Sequence, residues 1–539
     1  MKKEAYLFLW LLLLAPAECP GQASYQYFFR VYFRDKGNTS YQPEQILSKR
    51  AIDRRSKAGV QYPAISDLPV NRAYINQIQS LGYVYHCSSK WLNTALFKTN
   101  NISAVNWILN LSFVSELKIV KTPGPKSRFI DKLEVLTTGP GAFPYDRPIT
   151  MLNGYVLHNN GFTGRNVLIA VLDGGFTNAD RIESLNALRS RNGIKHTWDF
   201  VKLDAGVYES STHGTDVMSI LAGQLPNLIA GTAPSADYML FKTEDVETEF
   251  PCEEDFWAAG AEFADSAGAD IISSSLGYYE FDNPAMDYKQ SDLDGNTAFV
   301  TRAADMAASK GILVVVSAGN ERDNPWRKII FPSDGDSVVS AGAVDENNLI
   351  ASFSSAGPSA DRRVKPDNVA MGVRIPIQQM AGSSSFGNGT SFSCPVLSGM
   401  TACLMQAVPQ AINSQIIEAL HRSGDRYNSP DSLYGYGIPD MAKAYSFLLD
   451  IYAVVPDDEM IVAPNPATGL FRLIFRQAPG PVSIEIYNVA GRILFSRDFP
   501  SFSNRTLLID DFQKAGQGIY FIRVIKAEGT ITSRFIKTR

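Results

Sequence analysis

Ser391 lies in Gly389-Thr390-Ser391-Phe392-Ser393-Cys394-Pro395. Here a run rich in glycine and serine, Gly382 to Gly389, gives way to a small-residue apolar segment that reads as a helix from Phe392 to Ala407. A serine at a loop-to-helix junction has two uses. Its hydroxyl can cap the first free N–H groups of the helix, or it can act as a nucleophile if a base takes its proton. Three distant residues weigh toward the second use: Asp173 in a turn at a strand end, His213 in His-Gly-Thr, and Asn320 in Ser-Ala-Gly-Asn. A histidine base needs a carboxylate to hold its tautomer and stabilise the imidazolium, and an acyl transfer needs a donor aimed at the oxyanion that forms. Of the five histidines, His86, His158, His196 and His421 lack such flanks, whereas His213 precedes Gly214-Thr215 and opens the apolar segment Val217 to Ala222.

The elements that would position these residues follow from hydrophobic patterning. Val167–Leu172, Tyr238–Lys242, Asp270–Ser274, Ile312–Val316 and Val338–Val344 are short runs of the kind buried on both faces. Helices are predicted between them at Phe256–Ala267 and Thr297–Ser309, each ending near a glycine. This alternation describes an α/β domain with a parallel sheet and helices on both faces, from about 133 to 452, in which sites form beyond the carboxyl ends of the strands. Asp173, Ser275 and Asn320 all follow such ends.

The rest of the chain divides around that domain, as 539 residues exceed one core. Residues 1–23 carry Lys2 and Lys3, an apolar run too short to span a bilayer and a small-residue end, which reads as a signal peptide. Residues 24–125 read as a small α+β unit: strands at Tyr27–Phe33, Gly82–His86, Ala95–Lys98 and Val114–Val120, and helices at Pro43–Ala58, around Tyr74–Leu81 and at Ile102–Leu109. Thr122-Pro123-Gly124-Pro125 is its linker. From 455 to 539, alternating strands with glycine turns describe an antiparallel β-sandwich. A net charge of -5 without blocks leaves no footprint for nucleic acid or polybasic membrane patch, and no later apolar stretch is long enough for a transmembrane anchor. Cys87, Cys252, Cys394 and Cys403 show no paired spacing and read as buried thiols.

The motifs Val171-Leu172-Asp173-Gly174-Gly175, His213-Gly214-Thr215, Ser275-Leu276-Gly277, Ser317-Ala318-Gly319-Asn320 and Gly389-Thr390-Ser391, in that order, resemble the subtilisin-like serine proteases over about 300 residues. The resemblance implies a secreted endopeptidase that cuts protein or peptide substrates through an acyl-enzyme. Asp173 orients His213, His213 is general base then acid, Ser391 is nucleophile, Asn320 is the oxyanion donor, and Ser275, Leu276 and Gly277 pair with the substrate backbone. It requires no cofactor; calcium occurs in the family, but no site can be placed here. Leu47 to Arg55 and Ser89 to Asn93 are similar to the prosegments of secreted bacterial members, which makes the N-terminal unit a propeptide and a partner of its own enzyme. Ala463-Pro464-Asn465-Pro466, Tyr487 to Arg492 and Gly518-Ile519-Tyr520 resemble the sorting domain of the Bacteroidetes type IX secretion system, implying export through the periplasm to the surface or medium. The sequence departs from the family at Gly174, where a small hydroxyl residue is common, and at Phe392-Ser393-Cys394.

Two rivals share this fold: a surface adhesin with weak or no catalysis, and a serine esterase. The esterase is disfavoured by the absence of Gly-x-Ser-x-Gly at Ser391. Asp180 and Asp216 read as surface or capping carboxylates. Ser291 to Asn296 has oxygen ligands at alternate positions but reads as an acidic turn. Glu244, Asp245, Glu247, Glu249, Glu253 and Glu254 read as a solvated loop; if that loop lies by the substrate cleft, it would favour basic side chains.

Overall fold

The computed structural model describes residues 27–39, 41–123, 144–452, 460–463, 465, 471–475, 479–500, 506–509, 512, 515–527 and 529–537. The signal peptide expected at 1–23, the end of the expected linker at 124–125 and the first residues of the expected α/β domain, 133–143, lie outside them.

Seven parallel strands form the central sheet. In spatial order they are Asn368–Met371, Val338–Val344, Leu313–Ser317, Ile271–Ser274, Leu168–Asp173, Asp237–Lys242 and Ile194–Asp199. The five predicted strands lie within one or two residues of their expected bounds, and the two outermost are additions. Ile194–Asp199 carries Lys195 and His196 on an exposed edge, so it lacks the continuous apolar run that marks a strand buried on both faces. From Leu168–Asp173 the chain builds first toward one edge and then, from Ile271–Ser274, toward the other. The reversal lies between those two neighbours, and their carboxyl ends carry Asp173 and Ser275.

On one face of the sheet lies the helix Thr390–Ala407, buried along nearly its whole length. It packs closely because Gly399 has no side chain: a Cβ there would sit 1.9 Å from Thr232 Oγ1. His213–Ala222 runs beside it. The other face is covered by Cys252–Ala267 and Phe299–Ser309, whose Phe256, Trp257, Phe299 and Ala304 fill the second core.

The N-terminal unit is a four-stranded antiparallel sheet, Val84–Ser89, Thr94–Thr99, Tyr27–Phe33 and Val114–Lys121, with an apolar core of its own that includes Phe29, Phe97 and Ile78. The helix expected over Pro43–Ala58 is two, Pro43–Ile46 and Lys49–Lys57. Ser48 breaks it by turning its Oγ to accept the N–H of Ala51. Near Ile102–Leu109 the chain forms a 3₁₀ helix, Val105–Asn110.

This unit docks on the helix Cys252–Ala267. Asp255, Glu262 and Asp265 share one helix face by their spacing, and each takes a group from it. Arg30 grips Asp255 at 2.6–2.9 Å. Ser89 Oγ, Lys90 N and Trp91 N donate to Glu262 at 2.6–3.0 Å. Arg54 and Arg55 both reach Asp265. Both prosegment-like motifs therefore supply groups to this interface.

In the C-terminal unit, a three-stranded and a four-stranded antiparallel sheet enclose one core around Phe471, Ile484, Ile522 and Phe535, the two-sheet form expected of a sandwich.

Candidate active site

Asp173 is the last residue of its strand and is fully buried. Its Oδ1 accepts the N–H of Gly174 at 2.7 Å, and His213 Nδ1 lies 2.9 and 3.0 Å from Oδ1 and Oδ2. A carboxylate only accepts, so the imidazole proton sits on Nδ1 and Nε2 carries the lone pair a base needs. His213 reaches this point as the first residue of its helix. The approach depends on glycines: Gly214 N–H donates to Gly175 O, and a Cβ on Gly175, at φ +146°, would lie 2.3 Å from Glu209 O.

Ser391 is the second residue of its helix and is half-buried. The proline four residues on shapes its surroundings. Pro395 has no N–H to give the Ser391 carbonyl, and Ser275 Oγ supplies the missing donor at 2.8 Å. In return, Ser391 Oγ donates to Ser275 O at 3.2 Å. Phe392, completely buried, stacks on the His213 ring at 6.0 Å between centroids. The departures at Phe392 and Cys394 are therefore packing choices: Phe392 braces the imidazole, and Cys394 Sγ contacts the carbonyls of Ser274 and Val315.

Asn320 is held by its carbonyl. Thr390 N and Thr390 Oγ1 donate to Asn320 Oδ1 at 2.9 and 3.0 Å, and Thr390 Oγ1 accepts from Gly319 N. This fixes the amide plane and commits the acceptor oxygen, so the Nδ2 donor is preorganised. Thr390 is a contributor the sequence reading passed over, although its place beside Ser391 was a usable signal.

Ser391, Asn320, Ser275, Leu276 and Gly277 line one cavity of about 850 Å³. Gly277 is pressed against Ile330, whose Cδ1 would lie 2.4 Å from a Cβ, and Tyr278 exchanges backbone hydrogen bonds with Phe331. The segment is thus held extended along the cavity wall.

Other residues take different places from those expected. Asp216 is fully buried, one helical turn past His213 and facing the same way. Gln379 donates to its Oδ2 at 2.9 Å, Oδ1 has no partner, and desolvation pushes its carboxyl up to about 7. Asp180 does lie at the surface, beside Arg181. Of the acidic run, only Glu247 is exposed. Lys121 pairs with Asp245, Arg30 lies by Glu254, and the carboxylate of Glu253 accepts the N–H groups of Asp245 and Phe250. Glu244 and Glu249 line the cavity, so the solvated loop is corrected to a largely buried wall.

Oxygens of Glu244, Glu249 and Glu253 approach within 4.8 Å, a donor set that suits a hard cation. The Ser291–Asn296 segment does not suit one, because Asp294 spends its carboxylate on the N–H groups of Asn296 and Thr297. The remaining histidines have structural contacts: His158 meets the Thr232 carbonyl, His421 meets Asp367, His86 meets the Phe200 carbonyl, and His196 packs edge-on against Phe263. All four described cysteines are free and buried.

Comparison with known proteins agrees with this architecture. The Subtilase family model matches residues 164–437, the Peptidase S8 propeptide domain of Bacteroidota matches 28–132, and the Secretion system C-terminal sorting domain matches 462–538. Subtilisin E of Bacillus subtilis (strain 168) is 29% identical over 351 residues, 65% of this chain and 81% of its own length. Subtilisin of Bacillus pumilus is 30% identical over 299 residues, 55% of this chain and 97% of its own. Among solved structures, fervidolysin from Fervidobacterium pennivorans, a keratinolytic enzyme related to subtilisin, superposes with a TM-score of 0.54 at 16% identity, over 97% of this chain and 77% of that one.

Proposed function

Because the chain belongs to the subtilase family of serine peptidases and carries its own propeptide and a type IX sorting domain, we propose that it is an exported endopeptidase whose catalytic groups are Asp173, His213, Ser391 and Asn320. The sorting domain marks it for secretion or display at the cell surface, and no helix among the described residues is long and apolar enough to cross a membrane. In the proposed organisation, 1–23 is a signal peptide, 24–125 the propeptide, 133–452 the catalytic domain and 455–539 the sorting sandwich.

The observation that carries this reading is the contact of His213 Nδ1 with Asp173 at 2.9 Å, beside a helix that brings Ser391 and Asn320 into one cavity. In the proposed reaction, Ser391 Oγ attacks the scissile carbonyl carbon as its proton passes to His213 Nε2. The carbonyl oxygen becomes an oxyanion facing Asn320 Nδ2 and the backbone N–H of Ser391 at the start of its helix. His213 then protonates the leaving amine, and the C–N bond breaks. Water, deprotonated by the same nitrogen, releases the acid from the acyl-enzyme and restores Ser391. Asp173 holds the imidazolium throughout. Ser275, Leu276 and Gly277 offer an extended edge to which a peptide can add as a strand, recognition that tolerates varied sequence.

A fluorophosphonate probe tests the reading. The processed protein should be labelled and should cleave peptides, and Ser391→Ala should abolish both. Absence of labelling would leave a binding scaffold, and labelling with ester but no peptide turnover would leave an esterase. Ser391→Ala should also keep the N-terminal unit attached if maturation is autocatalytic.

A further inference from the structure

The cavity that holds Ser391 is a substrate site because of its nucleophile and oxyanion donor, but its far wall has a character of its own. Five carboxylates line it, Glu244, Glu249, Glu280, Asp287 and Glu321, and no lysine or arginine does. They come from three stretches of chain, at 244–249, 280–287 and 321, that the sequence keeps apart. We propose that this cavity selects a lysine or arginine side chain on the residue whose carbonyl Ser391 attacks. The proposal rests on the peptidase reading above and names its substrate class.

The layout suits a long cationic side chain from mouth to floor. At the mouth, Glu321 follows Asn320 directly and accepts hydrogen bonds from Tyr279 Oη at 2.8 Å and from Asn324 Nδ2, so its carboxylate is fixed at the entrance. Tyr279 and Trp326 pack at 4.8 Å between ring centroids and form an aromatic side for the methylene stem and its charged head. Deeper, Glu244 and Glu249 are 2% and 6% exposed, and Tyr278 Oη donates to Glu244. The neighbouring Arg322 is turned away, its guanidinium held by the carbonyls of Ala351 and Ser352. An aromatic side chain would desolvate the same carboxylates without offering them a donor, which offsets its gain from burial. An ammonium or guanidinium supplies that donor in charge-assisted form.

The test uses the full chain, purified after processing, and a series of peptide p-nitroanilides differing only in the residue before the scissile bond: Arg, Lys, Phe or Glu. The expected result is a kcat/KM for Arg and Lys at least about tenfold above Phe, with Glu the poorest. Glu321→Gln, at the half-exposed mouth, and Glu249→Gln, at the floor, should each reduce the Arg-to-Phe ratio about threefold or more. The ratio is internal to each preparation, so a lowered active fraction cancels. Labelled enzyme that prefers Phe, or ratios unmoved by both substitutions, overturns the proposal and leaves the peptidase reading intact. An enzyme neither labelled nor active overturns both. The series is repeated with EDTA and with added calcium. A basic preference that calcium abolishes assigns the floor to a metal ion and overturns the proposal, and one that persists supports it.

Discussion

Arg55 offers the sharpest quantitative test of how the propeptide is held. Its guanidinium is fully buried and bridges Asp67 at 2.8 Å and Asp265 at 2.6 Å, both also fully buried. Replacing it with leucine leaves two buried carboxylates short of a partner. Loss of one member of a buried pair costs about 3–5 kcal/mol. Asp265 keeps Arg54, and Asp67 keeps Lys310 at 3.2 Å, so the lower end applies, about 3 kcal/mol, or about a hundredfold in affinity. The comparison is Lys49→Ala. Lys49 also forms an ion pair, 2.7 Å from Asp53, but with the two side chains 87% and 61% exposed, where such pairs contribute less than about 1 kcal/mol. The assay is inhibition of the processed enzyme by the propeptide 24–125 added in trans, with circular dichroism confirming that each variant is folded. Arg55→Leu should raise the inhibition constant about a hundredfold and Lys49→Ala by no more than a few-fold. Equal effects, or a change under threefold for Arg55→Leu, would refute the idea that buried ion pairs on the Cys252–Ala267 helix hold the propeptide.

Other perturbations address the site and its titrating groups. Asn320→Ala should lower kcat about 10²- to 10³-fold with little change in KM, a range established for a subtilisin and carried over by family membership. Thr390→Val removes one of two donors to Asn320 Oδ1, so stopped-flow or steady-state kcat should fall less than in Asn320→Ala. Asp216, raised from 3.8 to about 7, stays protonated in the folded protein while the unfolded chain ionises, so it removes stability as pH rises between those values, about 1.4 kcal/mol per unit as an upper bound. The Tm advantage of Asp216→Asn over wild type should therefore grow from pH 4 to pH 7 and then level off; a flat difference would exclude this assignment. His86 behaves in the opposite sense. Buried against Phe256 and the Phe200 carbonyl, it is lowered from 6.5 to about 3, so the released propeptide binds a proton that the docked one refuses. Propeptide affinity should weaken as pH falls below 6.5, and titrating His86→Leu in parallel separates this from Glu254 on the enzyme side, whose carboxyl burial pushes upward.

Much of the candidate site was legible because it is local. Asp173, His213, Asn320 and Ser391 each sit in a short motif at a strand end or helix start, where backbone geometry presents one side chain, and the motifs keep their order along the chain. Strands buried on both faces announce themselves as unbroken apolar runs, which is why the five central strands were found and the exposed edge strand Ile194–Asp199 was not. The break at Ser48 was missed because a capping serine inside a helix-like composition carries little signal against the helical formers around it.

What sequence alone determined, then, was the succession of propeptide, subtilase domain and sorting domain, and it singled out Asp173, His213, Ser391 and Asn320 as the candidate reacting groups, because each of these rests on neighbours within a few residues. The tertiary structure decided what depends on convergence. Glu244, Glu249, Glu280, Asp287 and Glu321 meet in one cavity only because separate loops cluster at the carboxyl ends of a parallel sheet. Asp216 is buried, with Gln379 from a distant part of the chain donating to its carboxylate, a meeting that only the fold arranges. Ser275 completes the helix of Ser391 only because Pro395 leaves a carbonyl without its N–H. A carboxylate's charge, pKa and partner are set by what surrounds it in space, and linear spacing does not carry that information.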